Sequence, residues 1–294
     1  MTRTGSALRT GAVVVTYNSS ADIDRCLDAL AGQDVAPIVV VDNASADDTL
    51  ELVRRRREEV RLVANAANRG FAAAVNQGIA ACADTDAVVL VNPDTEALPG
   101  AVAAMTSILQ RRPDVAVVGA RVVNPDGSLY PSVRRFPDPV TALGHAVLLF
   151  VAPDNRWSRR YRMADWDHAH AAEVDWVAFT FVLIRRSALD EIGGVDERYF
   201  MYVEDVDTCW RLRAAGWVVA YEPEAVVSHR IGGSSASSPY RMIVHHHRSL
   251  WRFARRTARG PGRLALPFLA AGLAARTLVA WVQHWIRGRP HAAP

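Results

Sequence analysis

The 294-residue sequence predicts an α/β protein: a doubly wound, mostly parallel sheet with helices on both faces, followed by a basic, helical, membrane-associating C-terminal segment. Three observations predict it. Five short β-branched runs recur in the first 120 residues, helix-length amphipathic stretches separate them, and every acidic residue lies at or before Glu224. The runs at 12–16, 38–41, 60–63, 87–91 and 115–119 are short and rich in β-branched residues, of the kind that parallel strands, buried on both sides, require. Between them lie the predicted helices 21–31, 46–57, 71–82 and 99–111; Ser45 and Asp47 can cap the second, and Pro99 suits a first helical turn. Right-handed crossovers then place helices on both faces and gather ligands at the carboxyl ends of the strands.

After residue 119 the alternation stops. Asn-Pro-Asp-Gly at 124–127 is a turn signal between strand-like 120–123 and 129–133, which predicts a hairpin. Residues 134–172, rich in Pro, Arg, Trp and His with an apolar patch at 146–151, read as an irregular insertion or lid. A strand over 174–184, a helical turn at 187–192, a helix over 206–215 and a short strand at 225–227 complete the expected body. The expected division is an α/β domain over 1–233 and a helical segment over 234–294.

Half of the residues are hydrophobic and 22% are charged, which excludes a disordered or low-complexity chain. Cys26, Cys82 and Cys209 are odd in number and lack ligand spacing, against a disulfide framework or a cysteine zinc site and for a reducing compartment. The apolar run 11–15 is too short for a signal peptide, so export is not expected. Up to Glu224 there are 31 acidic residues and 23 arginines, a net −8; beyond it there are 11 arginines and no acid, and lysine is absent throughout. Such a tail suits nucleic acid or an anionic membrane surface, and no nucleic-acid motif accompanies it. Within the tail, 264–286 is long and apolar. Pro267, Gly272, Arg276, Trp281, Trp285 and Arg287 favour an interfacial hairpin or amphipathic helix over a spanning one, and a helical cap on the preceding domain is the other reading. His245, His246 and His247 splay by ~100° per residue on a helix and cannot converge on one ion, so they are expected on a solvated or interfacial helix face.

Chemistry is expected on the rim of the sheet. Asp42 ends a strand just before a helix N-terminus, where a carboxylate can hold the ribose or base of a nucleotide, and Thr16, Tyr17 and Asn18 end the first strand beside it. No GxGxxG or GxxxxGK[ST] accompanies them, against a dinucleotide fold or a P-loop. Asn92-Pro93-Asp94 ends the fourth strand; Asp94 suits Mg²⁺ or Mn²⁺ on a substrate diphosphate, although the tripeptide is also a common turn. Glu204, Asp205 and Asp207 crowd three carboxylates beside Arg211 and Arg213. Crowding raises proton affinity and so makes a general base; the other reading is an acidic first helical turn. His229 follows a strand, where a lone histidine is more often structural than ligating.

In order along the chain, VVVTYN (13–18), VVDNAS (40–45), NRGFAAAVNQG (68–78), LVNPD (90–94) and GGVDERYFMYVEDVDTCWRLRAAGW (193–217) resemble family 2 glycosyltransferases of the GT-A fold. PDGSLYPSVRRFPDP (125–139) and HAVL (145–148) look most like the actinobacterial rhamnosyltransferases. These move L-rhamnose from dTDP-rhamnose to N-acetylglucosamine on a polyprenyl diphosphate in cell-wall linker synthesis. The resemblance implies an inverting transferase on the cytoplasmic, inner face of the plasma membrane. Its nucleotide would be held by Thr16, Tyr17, Asn18, Asp42, Asn43, Asn68, Arg69 and Asn92, its divalent cation, Mg²⁺ or Mn²⁺, by Asp94 and His229, and Asp205 would be the base. Asn92 stands where the family's metal motif has its first aspartate. The acceptor side would be Trp176, Phe179, Thr180 and Glu204. One departure matters: where relatives carry a small Ser-Gly run after Asp175-Trp176, this chain has Ala178-Phe179-Thr180-Phe181. Two phenylalanines are expected to fill space near the acceptor, which leaves a catalytically silent sugar-nucleotide or glycan-binding paralogue as the alternative.

Overall fold

The computed structural model describes residues 8–136, 155–161, 163, 165–230 and 239–287. In chain order the sheet body contains β1 (Thr10–Thr16), α1 (Ile23–Ala31), β2 (Ile38–Asp42), α2 (Thr49–Arg55), β3 (Arg61–Ala64), α3 (Phe71–Ala81), β4 (Ala87–Val91), β5 (Thr95–Ala97), α4 (Ala101–Arg111) and β6 (Val115–Val123). Then come β7 (Val133–Arg134), α5 (Arg156–Tyr161), β8 (Ala172–Glu173), β9 (Trp176–Val177), β10 (Phe181–Arg185), α6 (Arg186–Glu191), α7 (Glu204–Ala214) and β11 (Val218–His229). The tail forms α8 (Pro239–Thr257), a 3₁₀ turn (Gly260–Ala265) and α9 (Leu266–Arg287).

The main sheet runs β3-β2-β1-β4-β10-β6-β11-β5, with β8 added beside β11; β7 and β9 pair apart as a small ribbon. β1 to β4 are parallel where they pair, and β11 is parallel to β6. Every residue of β1, β2 and β4 is buried, which is why those strands read as continuous apolar runs. Alternation along β1 divides the core: Val13 and Val15 pack on the face covered by α3, and Ala12 and Val14 on the face covered by α1 and α4. Gly78 lets α3 lie against β1, because a Cβ there would overlap the Val13 side chain.

The sequence is corrected in several places. β10 enters antiparallel between β4 and β6, which breaks the parallel winding. The predicted strand 174–184 divides into β9 and β10 around residues 178–180. The hairpin at 124–127 keeps its turn, with the Asn124 N–H bonded to the Ser128 carbonyl at 2.8 Å, but its second arm makes only the bridge Val123↔Leu129. α2 starts at Thr49: Asp47 accepts the Thr49 N–H at 3.1 Å, while Ser45 is committed to Asp42. Pro99 precedes α4, which begins after Gly100. α7 starts two residues before the predicted helix, so Glu204, Asp205 and Asp207 all occupy its first turn. Of the expected lid, the ends and α5 are described; the patch 146–151, the HAVL segment 145–148 and the small-residue run 232–238 lie outside the described residues.

The tail docks on the body. From α8, Ser249 Oγ donates to the Met201 carbonyl at 3.1 Å, Arg252 donates to the Arg198 carbonyl, and Arg256 bridges Asp196 at 3.0 Å and the wholly buried Asp207 at 3.1 Å. Asp207 also accepts from Tyr199 and Arg211. α9 packs on α8, with His247 Nδ1 2.7 Å from Thr277 Oγ1. The histidine trio is therefore interfacial and not solvated: His245 stacks on Phe200, His246 meets the edge of Tyr202, and His247 is buried. On the outer side of the turn and α9, Leu264, Phe268, Leu278, Val279 and Trp281 are all more than half exposed.

Candidate active site

A cleft of about 390 Å³ opens at the carboxyl ends of β1, β2 and β4, where the strand order reverses about β1. β1 gives Thr16, Tyr17 and Ser19; the end of β2 gives Asn43; the loop into α3 gives Asn68, Gly70 and Phe71; the end of β4 gives Asn92, Pro93 and Asp94. Its far wall is Phe200 and Met201 from the loop before α7, together with Met242 and His245 from α8. The rim residues foreseen from sequence thus converge, while Phe200, Met201, Met242 and His245 were not foreseen.

Below the surface the rim is tied by short bonds. Asp42 is 1% exposed, and its carboxylate accepts from Thr16 Oγ1 at 2.9 Å, Ser45 Oγ at 2.5 Å and the Ser45 N–H at 3.0 Å. It forms the floor on which Thr16 and Asn43 are presented and does not itself line the cleft. Asn18, with φ of 52°, latches the rims of β1 and β2: its N–H reaches Ser45 Oγ and its side-chain oxygen accepts from Ala46 at 2.7 Å. Asn43 holds the next loop, donating to the Gly70 carbonyl at 3.1 Å and accepting from the Arg69 N–H at 3.3 Å. The Arg69 side chain is exposed and outside the lining.

Gly70 joins that loop to the far wall. The Phe71 N–H donates to the Phe200 carbonyl at 2.7 Å, and a Cβ on Gly70, at φ +87°, would stand 2.6 Å from that carbonyl oxygen. Gly70→Ala is expected to destabilise the fold by about 2 kcal/mol or more and to weaken nucleotide binding, measured by denaturant titration and calorimetry.

Asp94 and His229 meet at the cleft mouth. β5 pairs with β11, and the Arg230 N–H bonds to the Asp94 carbonyl at 2.9 Å, which sets His229 Nε2 3.2 Å from Asp94 Oδ2. His229 Nδ1 is buried without a partner, and the Tyr130 ring edge fixes the imidazole plane. One carboxylate and one imidazole nitrogen suit a divalent ion that takes its other ligands from phosphate and water oxygens. Among the described residues no cluster of three potential metal ligands forms, so a substrate would have to complete the set.

The far wall leads into the carboxylates. Tyr202 and Val203 both have positive φ, 67° and 71°, and this kinked pair turns the chain from Met201 into Glu204 and Asp205. A β-branched residue in that region is strained, and the bonds from α8 to the 196–201 segment hold it there. Burial raises the Asp205 pKa to about 6, against the lowering effects of the Val206 N–H at 2.8 Å, the Arg134 charge and the Phe179 N–H. Burial beside Asp205 pushes Glu204 well above the usual carboxylate range, and its Oε2 has no partner. Asp205 does not line the 390 Å³ cleft, and the charge near enough to act on it is that of Arg134.

Of the expected acceptor side, Trp176, Phe179 and Thr180 are at most 5% exposed and line no part of the cleft. Phe179 and Phe181 do not line the cleft. The turn between β9 and β10 sends their rings into the cores on opposite faces of the sheet, and this removes the ground for a silent paralogue.

The fold is of GT-A type, and the profile of glycosyl transferase family 2 matches residues 12–193. The chain belongs to that family and is a glycosyltransferase. It is 36% identical, over 82% of both chains, to an N-acetylglucosaminyl-diphospho-decaprenol L-rhamnosyltransferase of Mycobacterium tuberculosis. It is 26% identical to the low-salt glycan biosynthesis hexosyltransferase Agl10 of Haloferax volcanii, over 68% of this chain and 60% of that one. Among solved structures, the mannosyltransferase PcManGT from Pyrobaculum calidifontis, in complex with GDP-Man and Mn²⁺, has TM-score 0.59 at 20% identity, over 95% of this chain and 76% of that one. GalNAc-T7 with UDP, GalNAc and Mn²⁺ has TM-score 0.57 at 14% identity, over 77% of this chain and only 44% of that one.

Proposed function

We propose that this glycosyltransferase moves L-rhamnose from dTDP-rhamnose to a hydroxyl of N-acetylglucosamine carried on a polyprenyl diphosphate, with inversion, at the inner face of the plasma membrane. The observation that carries the reading is the Asp94–His229 pair, 3.2 Å apart, with Asp94 lining the strand-end cleft whose far wall, at Phe200 and Met201, precedes Asp205 in the chain. The 36% identity to a transferase named for that sugar and that lipid-linked acceptor supports the substrates.

Thr16, Tyr17, Asn43, Asn68 and Asn92 offer hydroxyl, amide and aromatic groups to the nucleotide, with Asn18, Asp42 and the Arg69 backbone fixing their positions. Asp94 and His229 would hold a divalent cation, Mg²⁺ or Mn²⁺, which when bound neutralises charge on the departing diphosphate. An acceptor hydroxyl attacks the anomeric carbon, the bond to the nucleoside diphosphate breaks, and Asp205 takes the hydroxyl proton. Glu204, buried beside Asp205, has its proton affinity raised as well, by burial first and then by the Asp205 charge. Trp176, Phe179 and Thr180 support the acceptor side from behind, Phe179 through its N–H to Asp205.

The α9 region supports membrane association. The stretch Gly262–Val279 has mean hydropathy 1.3 and none of it is buried, and α9 is held along α8 by the His247–Thr277 contact. An interfacial helix fits this better than a separate span.

The test mixes the purified chain with dTDP-rhamnose, a prenyl-diphosphate-linked N-acetylglucosamine and Mg²⁺ or Mn²⁺, and follows the product by mass spectrometry and NMR. A rhamnosylated lipid with inverted anomeric configuration is expected; no transfer, or retention, contradicts the proposal. Chelation should abolish turnover, either cation should restore it, and Asp94→Asn should blunt that restoration, measured as initial rate against cation concentration.

A further inference from the structure

Arg134 has an unusual setting for a charged side chain. It lies in the β7–β9 ribbon, directly opposite Trp176, and its guanidinium carbon stands 5.3 Å from the Trp176 ring centre and 5.5 Å from that of Tyr161. The two rings, with centres 6.4 Å apart and planes tilted by 44°, lie side by side against the cation and hold it in place. Its Nε is buried without a hydrogen-bond partner, and among the described residues it pairs with no carboxylate. A buried donor of this kind is costly to leave unpaired unless something else arrives to meet it.

The surroundings say what arrives. Arg134 acts electrostatically on Asp205, the base of the proposed reaction, and on His246 of α8. Arg276, on α9, acts on the same His246. Both arginines therefore lie near His246, and Arg276 comes from the helix that also exposes Leu278, Val279 and Trp281. The 390 Å³ cleft lies elsewhere: neither arginine lines it, and the Asp94–His229 pair sits there. Arg134 thus stands beside Asp205 and apart from the lining of the strand-end cleft.

We infer that Arg134, held against Tyr161 and Trp176, binds the phosphate groups of the lipid-linked acceptor. This rests on the proposed function for the existence of a diphosphate-linked acceptor. Planar guanidinium donors match phosphate oxygens in pairs, and charge-assisted bonds of this type are the strong ones. Anchored there, the diphosphate places its sugar at Asp205 while the prenyl chain leaves along the exposed side of α9.

The test compares two acceptors in the full chain: N-acetylglucosamine on a prenyl diphosphate, and the same sugar on a neutral alkyl chain of matched length. Arg134→Met should lower the ratio of kcat/KM between them by about tenfold to a hundredfold, and Arg134→Lys should recover part of it. Losing the Arg134 charge also raises the Asp205 pKa, but that effect falls on both acceptors and cancels in the ratio. An unchanged ratio overturns the inference, as does a rise confined to the KM of the nucleotide donor, which would move Arg134 to the donor's diphosphate. Calorimetry with a sugar-free prenyl diphosphate gives a readout without turnover. Binding that weakens by the same factor in Arg134→Met supports the site, and equal binding overturns it even if the wild-type chain transfers no rhamnose. Failure of both acceptors in the wild type, with prenyl-diphosphate binding intact and dependent on Arg134, counts against the proposed reaction and not against the site. Thermal melts of both variants confirm that the ribbon is folded.

Discussion

Asp205→Asn should lower transfer by about 10²–10⁴-fold while leaving nucleotide binding intact, because the carboxylate takes the acceptor proton and does not line the donor cleft. The same change should raise the melting temperature at neutral pH. Burial holds the Asp205 pKa near 6, above its ordinary value of 3.8, so the folded state favours the protonated carboxyl and is penalised once pH exceeds the unfolded value. A neutral amide removes that penalty. In the wild type the base must be ionised to act, so kcat/KM should fall as pH drops through about 6 and level off above it. A variant that loses activity together with stability would mark Asp205 as structural instead.

The second large effect concerns the membrane. Phe268→Glu, Leu278→Glu and Trp281→Glu combined should weaken binding to vesicles of anionic lipid by at least about a hundredfold, since each of these side chains loses roughly 1.5–3 kcal/mol of apolar burial. All three are more than 60% exposed, so the melting temperature should not move. Activity on a soluble, short-chain acceptor should persist, and activity on a long-chain acceptor in vesicles should drop. Flotation that is unchanged in the triple variant would transfer the exposed face of α9 to some other use.

The body of the fold was legible because its signal is local. The runs at 12–16, 38–41 and 87–91 are apolar throughout since both faces of β1, β2 and β4 are covered, and the rim residues follow from where those runs end. Strand direction was not legible: β10 has the same apolar pattern whether it runs parallel or antiparallel to β4. Phe179 and Phe181, two residues apart, read as one face of a strand, yet the turn between β9 and β10 sends them to opposite cores. The position of Asp42 was readable, whereas its saturation by Thr16 and Ser45 depends on the pairing of β1 with β2. The part of α8 in the cleft was the least accessible. Met242 and His245 lie three residues apart on one helix face, and nothing local distinguishes a face that meets lipid from one that meets Phe200. Arg134 carries no local signal, because its aromatic partners lie far along the chain at 161 and 176.

A crystal structure with an unreactive dTDP-rhamnose analogue and a divalent cation tests the central claim most directly. The account predicts the nucleotide against Thr16, Tyr17 and Asn43, the diphosphate beside Asp94 and His229, and the anomeric carbon turned toward the Asp205 carboxylate with a path for an alcohol between them. A sugar facing away from Asp205, or separated from it by the Phe200–Met201 wall in the ternary complex, would contradict it.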